Sequence, residues 1–107
     1  MTKLKLGRKA VKTDSRTLRL AKYMKALAPP PNSVNWDATT EFSMMLNDEI
    51  GCCVIAAIGH AIQVWTIHAS REATVPDSII QNYYSTWGGY VPGDPSTDNG
   101  MVELDAL

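Results

Sequence analysis

The longest apolar pattern in the chain begins at Cys53 and continues to about Ser70. Its apolar positions are Val54, Ile55, Ala56, Ala57, Ile58, Ala61, Ile62, Val64 and Trp65. The spacing is helical, and apolar residues fall on every side of the helix. A helix with this distribution is typical of a protein interior. The pattern therefore predicts a long, buried central helix.

Shorter patterns flank this helix. Pro76 and Asp77 supply a helix start and Gly88-Gly89 a stop, so a second helix is predicted from about Pro76 to Trp87. The turn formers in residues 90–99 predict a loop. A third helical pattern begins at Met101, whereas residues 33–43 have no sustained period and should be mostly loop.

The first 28 residues have a different character. The alternation in residues 3–6 predicts a short edge strand. Asp14 or Ser15 can cap a helix that runs to about Leu27. Pro29-Pro30-Pro31 then ends it and forms a stiff connector. We therefore predict a basic arm with a short helix (residues 1–28), a body (residues 29–107), and a mainly helical α+β fold.

Charge separates the same two parts. Residues 1–25 hold nine of the ten basic residues and one acid, a net charge of +8, while the remainder carries −9. Such a division is typical of an arm for nucleic acid, here residues 3–25, or for a membrane surface. It is also typical of an arm lying on an acidic protein surface. The near cancellation favours the protein surface, of the same chain or of a neighbour. The stiff connector favours the neighbour, and hence a homo-oligomer or protein partner.

Composition narrows the class of protein. The longest unbroken apolar run, residues 52–58, is far shorter than the roughly 20 residues that span a bilayer. The N-terminus lacks the apolar stretch of a secretory signal. Two adjacent cysteines are no disulfide framework, and the sequence indicates no metal site and no cofactor. We expect a cytoplasmic protein in a reducing compartment, without a membrane contact.

The candidate chemistry lies where the central helix begins. A cysteine at a helix N-terminus meets unpaired N–H groups and the positive end of the helix dipole, both of which favour a thiolate. Cys53 is therefore a candidate nucleophile, and Gly51 allows a tight turn and a close approach of substrate. The alternative is a small buried cysteine that caps the core.

The order of motifs resembles the start of a papain-type cysteine peptidase. The residues that carry the resemblance are Trp36, Asn47, Gly51, Cys53 and the Asn99-Gly100 pair. The resemblance implies the N-terminal, helical lobe of that fold, with Cys53 as nucleophile and Asn47 as oxyanion donor. It also implies that Gly51, Asn99 and Gly100 line the substrate cleft, which Met101 would narrow. The start formed by Asn47-Asp48, Gly51 and Cys53 also resembles that of short bacterial and phage proteins, so a phage, mobile-element or virion association is a further expectation.

Papain-type catalysis also needs a histidine as base and an asparagine that orients it, both far downstream. The histidines here are His60 and His68, on the same predicted helix as Cys53. His60 stands seven residues on, about 10.5 Å along the axis, and a base must come within about 3 Å. We expect His60 to be a hydrogen-bonded core residue and His68 a surface residue.

The sequence favours a catalytically incomplete papain-like module that acts by binding or assembly. The alternatives are part of a peptidase whose other lobe supplies the histidine, and a nucleic-acid-associated protein.

Overall fold

The computed structural model describes residues 7–36 and 39–107, and its architecture is mainly helical. The α-helices are α1 (Cys53–His68), α2 (Asp77–Gly88) and α3 (Glu103–Ala106). Short 3-10 turns lie at Leu20–Lys22 and Pro95–Thr97. The predicted bounds of the two long helices are thus confirmed to within about two residues.

The β part of the expected α+β class is small. Within residues 7–36 and 39–107 it consists of an isolated parallel bridge between Arg8 and Met101. The predicted edge strand at residues 3–6 lies outside the described residues. In the described part of the chain, no helix has the length and hydropathy needed to cross a bilayer.

The core lies between α1, α2 and the segments that enter and leave them. Its buried members are Met45, Cys52, Val54, Ile55, Ala56, Ile80, Tyr84, Tyr90 and Met101. Helix α2 ends at Gly89, whose φ of 74° is the left-handed conformation that glycine adopts without strain. Ile80 and Tyr84 face the core from this helix.

One strip of helix α1 is left exposed, so the expected all-round burial is wrong. Val54, Ile55 and Ala56 are buried, whereas Trp65 keeps 68% of its surface exposed. The reason is tertiary. A second side of α1 contacts Trp36 and residues 41–43, but the strip that contains Ala57 and Trp65 has little packed against it in the described structure.

The predicted helix from Asp14 to Leu27 is also wrong, since a 3-10 turn of three residues replaces it. Leu20, Met24 and Leu27 are exposed, and a short helix that buries no apolar face is marginal in water. The Asp14 carboxylate, moreover, accepts from the Arg16 backbone N–H at 2.8 Å and from its guanidinium at 2.6 Å. This local turn takes the place of a helix cap.

Candidate functional site around Cys53

Cys53 is the first residue of α1, as predicted. Cys52 precedes it as the helix N-cap residue, and both cysteines are free thiols. Cys53 is half-buried and lines a groove of about 380 Å³ that runs along the exposed strip of α1. The residues that line this groove are Arg8, Cys53, Val54, Ala57, Ile58, Ala61, Trp65, Glu103 and Leu107. The thiol thus lies at one end of an apolar surface.

The neighbouring cysteine has the opposite environment. Cys52 has no exposed surface, and its thiol donates to the backbone oxygen of Met45 at 3.3 Å. Burial raises the pKa of the Cys52 thiol to about 11. Cys52 therefore behaves as a structural, protonated thiol, and Cys53 is the cysteine that a reagent or substrate can reach.

A tight turn leads into the cysteines. Met45 and Leu46 both have positive φ, 49° and 62°, and the Asn47 backbone N–H donates to the Met44 oxygen at 2.9 Å. Non-glycine residues occupy this left-handed region at a cost, which the burial of Met45 offsets. Asn47, the predicted oxyanion donor, is exposed in this turn and does not line the groove.

A buried hydrogen-bond chain fixes the loop before α1. One Asp98 oxygen, Oδ1, accepts from the Gly51 backbone N–H at 2.8 Å and from the Tyr84 hydroxyl at 2.8 Å. The Tyr84 oxygen in turn accepts from the Gly100 N–H at 2.8 Å. Burial, followed by the hydrogen bond to Asp98, raises the pKa of Tyr84, so the phenol stays protonated and donates. This chain positions the turn that carries Cys53.

No pattern in the sequence linked Asp98 to Tyr84. Their meeting depends on the loop of residues 89–97, which returns the chain from the end of α2 to the start of α1. The available signal was an aspartate directly before Asn99-Gly100, in a segment already predicted to lie near the cysteine.

The three residues predicted to line a substrate cleft divide into two groups. Asn99 is exposed, and its amide donates to the Ser96 oxygen at 2.8 Å within its own loop. Gly51 and Gly100 are buried, and the residue that approaches them closely is the chain's own Gly7. A methyl group on Gly7 would lie 1.9 Å from the Gly51 oxygen. Residues 7–9 therefore fill the space that the resemblance assigns to a substrate backbone.

Residues 7–12 of the basic arm fold back on their own chain, which the stiff connector had argued against. Arg8 forms an ion pair with Glu103 at 2.9 Å, and Lys12 one with Asp105 at 2.8 Å. The hydrogen bond to Asp105 raises the pKa of Lys12. Residues 13–28 lie between the docked part and the triproline and form no long helix, so this stretch gives the chain the length to return to the body. Residues 7–12 thus lie on an acidic protein surface, as expected for the arm, and this surface belongs to their own chain.

Both histidines hold the loop that precedes the cysteine turn. A ring nitrogen of His60, Nε2, lies 2.9 Å from the Ser43 backbone oxygen, and the ring packs edge-on against Phe42. His68 is exposed and contacts the Trp36 oxygen in the same way. His60 is thus hydrogen-bonded as expected, though only half-buried. Neither histidine lines the groove of Cys53.

The described part of the chain contains no candidate metal site, because no three side chains of histidine, cysteine, aspartate or glutamate lie close together there. Comparisons with protein-family models, curated proteins and solved structures give no match to this chain.

Proposed function

We propose that the chain is a papain-like, thiol-bearing helical module that works by binding a protein partner along the groove of α1. The observation that carries this proposal is the position of Cys53. It begins the longest helix and opens onto an uncovered apolar strip, but the ring nitrogens of His60 and His68 contact the backbone oxygens of Ser43 and Trp36 instead. A thiol without a base is a poor peptidase, because proton transfer to a positioned base is typically worth 10²- to 10⁴-fold.

The apolar strip supports the binding role. Ala57, Ala61 and Trp65 repeat every four residues along one side of α1, and Arg8 and Glu103 stand at its edge. Contiguous exposed apolar surface rimmed by polar residues is typical of protein interfaces, and tryptophan is a frequent anchor in them.

Thiol chemistry tests the first part of the proposal. In a Cys52→Ala chain, Cys53 should react with a disulfide reagent at pH 8 within minutes. In a Cys53→Ala chain, the buried Cys52 should react at least about 100-fold more slowly, because it must wait for local opening. Neither these chains nor the wild type should hydrolyse peptide substrates. Hydrolysis by the wild type that disappears in Cys53→Ala would contradict the proposal.

A matched pair of charge substitutions tests the binding surface. Ala57→Asp places a carboxylate in the groove, and Ala73→Asp places one on an exposed loop away from it. Sedimentation between about 1 and 100 µM should show self-association or partner binding that Ala57→Asp abolishes and Ala73→Asp retains. Equal behaviour of the two variants would exclude the groove as the interface.

The second candidate is a peptidase half whose other lobe supplies the histidine. The favouring observation is that the uncovered strip begins at the thiol itself, so a lobe packed on it would bring side chains to Cys53. Adding the candidate lobe as a separate protein should then create hydrolysis that depends on Cys53.

Nucleic-acid binding ranks third. Three cations of the arm, Arg8, Lys12 and Arg16, already pair with carboxylates of the chain, which lowers the charge offered to phosphates. Retention on DNA that falls steeply with salt would favour this role.

A further inference from the structure

Residues 7–9 are bound to the body as an extended peptide is bound to a sheet edge. The Met101 backbone N–H donates to the Gly7 oxygen at 2.8 Å, and the Lys9 N–H donates to the Met101 oxygen at 2.9 Å. Both polar groups of Met101 are thereby satisfied by one neighbouring segment in a parallel arrangement. Pairing of this kind gives affinity through the main chain and leaves the side chains to select the ligand.

The first selective feature is steric. A methyl group on Gly7 would lie 1.9 Å from the Gly51 oxygen, and one on Gly100 would lie 2.1 Å from the Gly7 oxygen. Both clashes are with backbone atoms, which cannot move aside as a flexible side chain can. The site therefore accepts only glycine at this position of its ligand.

The second selective feature is electrostatic. Glu103 pairs with the residue after the glycine, Arg8, and Asp105 pairs with Lys12, four residues further on. These pairs are exposed, so each adds little affinity. Two carboxylates at a fixed spacing nevertheless favour cationic ligands and speed their association.

The segment that ties this ligand to the body is not itself packed. None of residues 13–36 is buried. Release of residues 7–12 would therefore take no buried residue of the tether out of the core, and the site could be filled by the same segment from outside the chain.

We propose that Gly51, Gly100, Met101, Glu103 and Asp105 form a peptide-binding site specific for a glycine followed by cationic residues, and that residues 7–12 are its tethered ligand. When the tethered segment is displaced, the site binds the same segment supplied from another molecule. Arg8 also lines the groove of Cys53, so the occupant of this site forms one wall of that groove. The inference requires no catalytic role for Cys53 and stands apart from the function proposed above.

A labelled synthetic peptide with the sequence of residues 7–13 tests the site by fluorescence polarisation on full-length chains. The wild type should bind it weakly, because a tethered competitor acts at an effective concentration near the millimolar range. Gly7→Val, whose own arm cannot dock, should bind the peptide at least about tenfold more tightly. Ala10→Val, which places the same side chain at an exposed arm position, should match the wild type.

A second pair of variants keeps the test valid if Gly7→Val fails to fold by circular dichroism. The doubly substituted arm Arg8→Glu with Lys12→Glu weakens docking by charge alone and should also gain peptide binding. Adding Glu103→Lys and Asp105→Lys to it should remove that gain. A peptide with valine in place of its glycine should bind none of the chains.

Two results would overturn the proposal. One is that neither arm variant binds the peptide more tightly than the wild type. The other is that the valine peptide binds as well as the glycine peptide, which would show that the contact is only a general attraction between opposite charges.

Discussion

Two sides of α1 are both apolar in sequence, yet only one of them is covered. On the covered side, Ile55 is 4% exposed in the same core cluster as Met45 and Ile80. On the groove side, Trp65 is 68% exposed. Apolar composition predicts that a side of a helix can be buried. It does not predict whether another part of the same chain packs against that side. In this molecule the covered side contributes to the stability of the fold, and the uncovered side is available to bind a partner.

The largest expected effect is on the covered side. Ile55→Ala removes a buried side chain from the main cluster and leaves a cavity, so the free energy of unfolding should fall by about 3 kcal/mol. Urea denaturation followed by circular dichroism measures the change. A loss below about 1 kcal/mol would mean that this side of α1 is packed more loosely than its burial indicates.

The next effect concerns the hydrogen-bond chain below the cysteine turn. Tyr84→Phe removes a donor to Asp98 and an acceptor for the Gly100 N–H, and unfolding should become easier by about 2 kcal/mol. Tyr83→Phe is the matched control, because Tyr83 is exposed and stacks on Trp87. It should change stability by less than about 0.5 kcal/mol. Equal effects of the two variants would show that the chain of hydrogen bonds contributes no stability.

The helix boundaries that nearby residues determine were predicted correctly from the sequence. The start of α1 at Cys53 and the end of α2 at Gly88-Gly89 both follow from residues within one turn of the boundary. The separate environments of Cys52 and Cys53 were not predicted, although consecutive residues at a helix start face different directions.

The errors came from contacts between distant residues. Burial around α1 and a helix at residues 14–27 both assume a packing partner that pattern alone does not supply. The hydrogen bond between Asp98 and Gly51 joins residues that are 47 positions apart in the sequence. The close approach of Gly7 to Gly100 depends on the paths of two loops. Gly7 is the only glycine before Gly51, which was a local sign of a close approach, although it does not say to what.

The third prediction concerns pH and the buried thiol. Folding raises the pKa of Cys52 from its ordinary value near 9 to about 11, so the folded chain retains the thiol proton that the unfolded chain loses. This contribution to stability is complete below about pH 9 and is lost as pH rises towards about 11, at up to about 1.4 kcal/mol per pH unit. Stability should therefore fall by somewhat less than about 2 kcal/mol over this range on account of Cys52.

Cys52→Ala identifies the source of this loss. The difference in unfolding free energy between wild type and variant should shrink as pH rises from 8 to 11. Thiolate absorbance in a Cys53→Ala chain, where Cys52 is the remaining thiol, should rise with a midpoint near 11. A midpoint near 9 would place the Cys52 thiol in contact with water.

The smallest expected effect on stability belongs to the groove side. Trp65→Ala removes the largest side chain of α1, but most of that side chain is already in water, so the free energy of unfolding of the monomer should change by less than about 0.5 kcal/mol. Ile55→Ala deletes a smaller side chain at a larger cost in stability, and this contrast compares the two sides of α1 most directly.

In partner binding, the order of the two effects should be reversed. Trp65→Ala should weaken association at least about tenfold, as expected for an aromatic anchor. A loss of more than about 1 kcal/mol in the free energy of unfolding, at concentrations where the chain is monomeric, would show instead that Trp65 is covered by its own chain. The groove would then not be an interface.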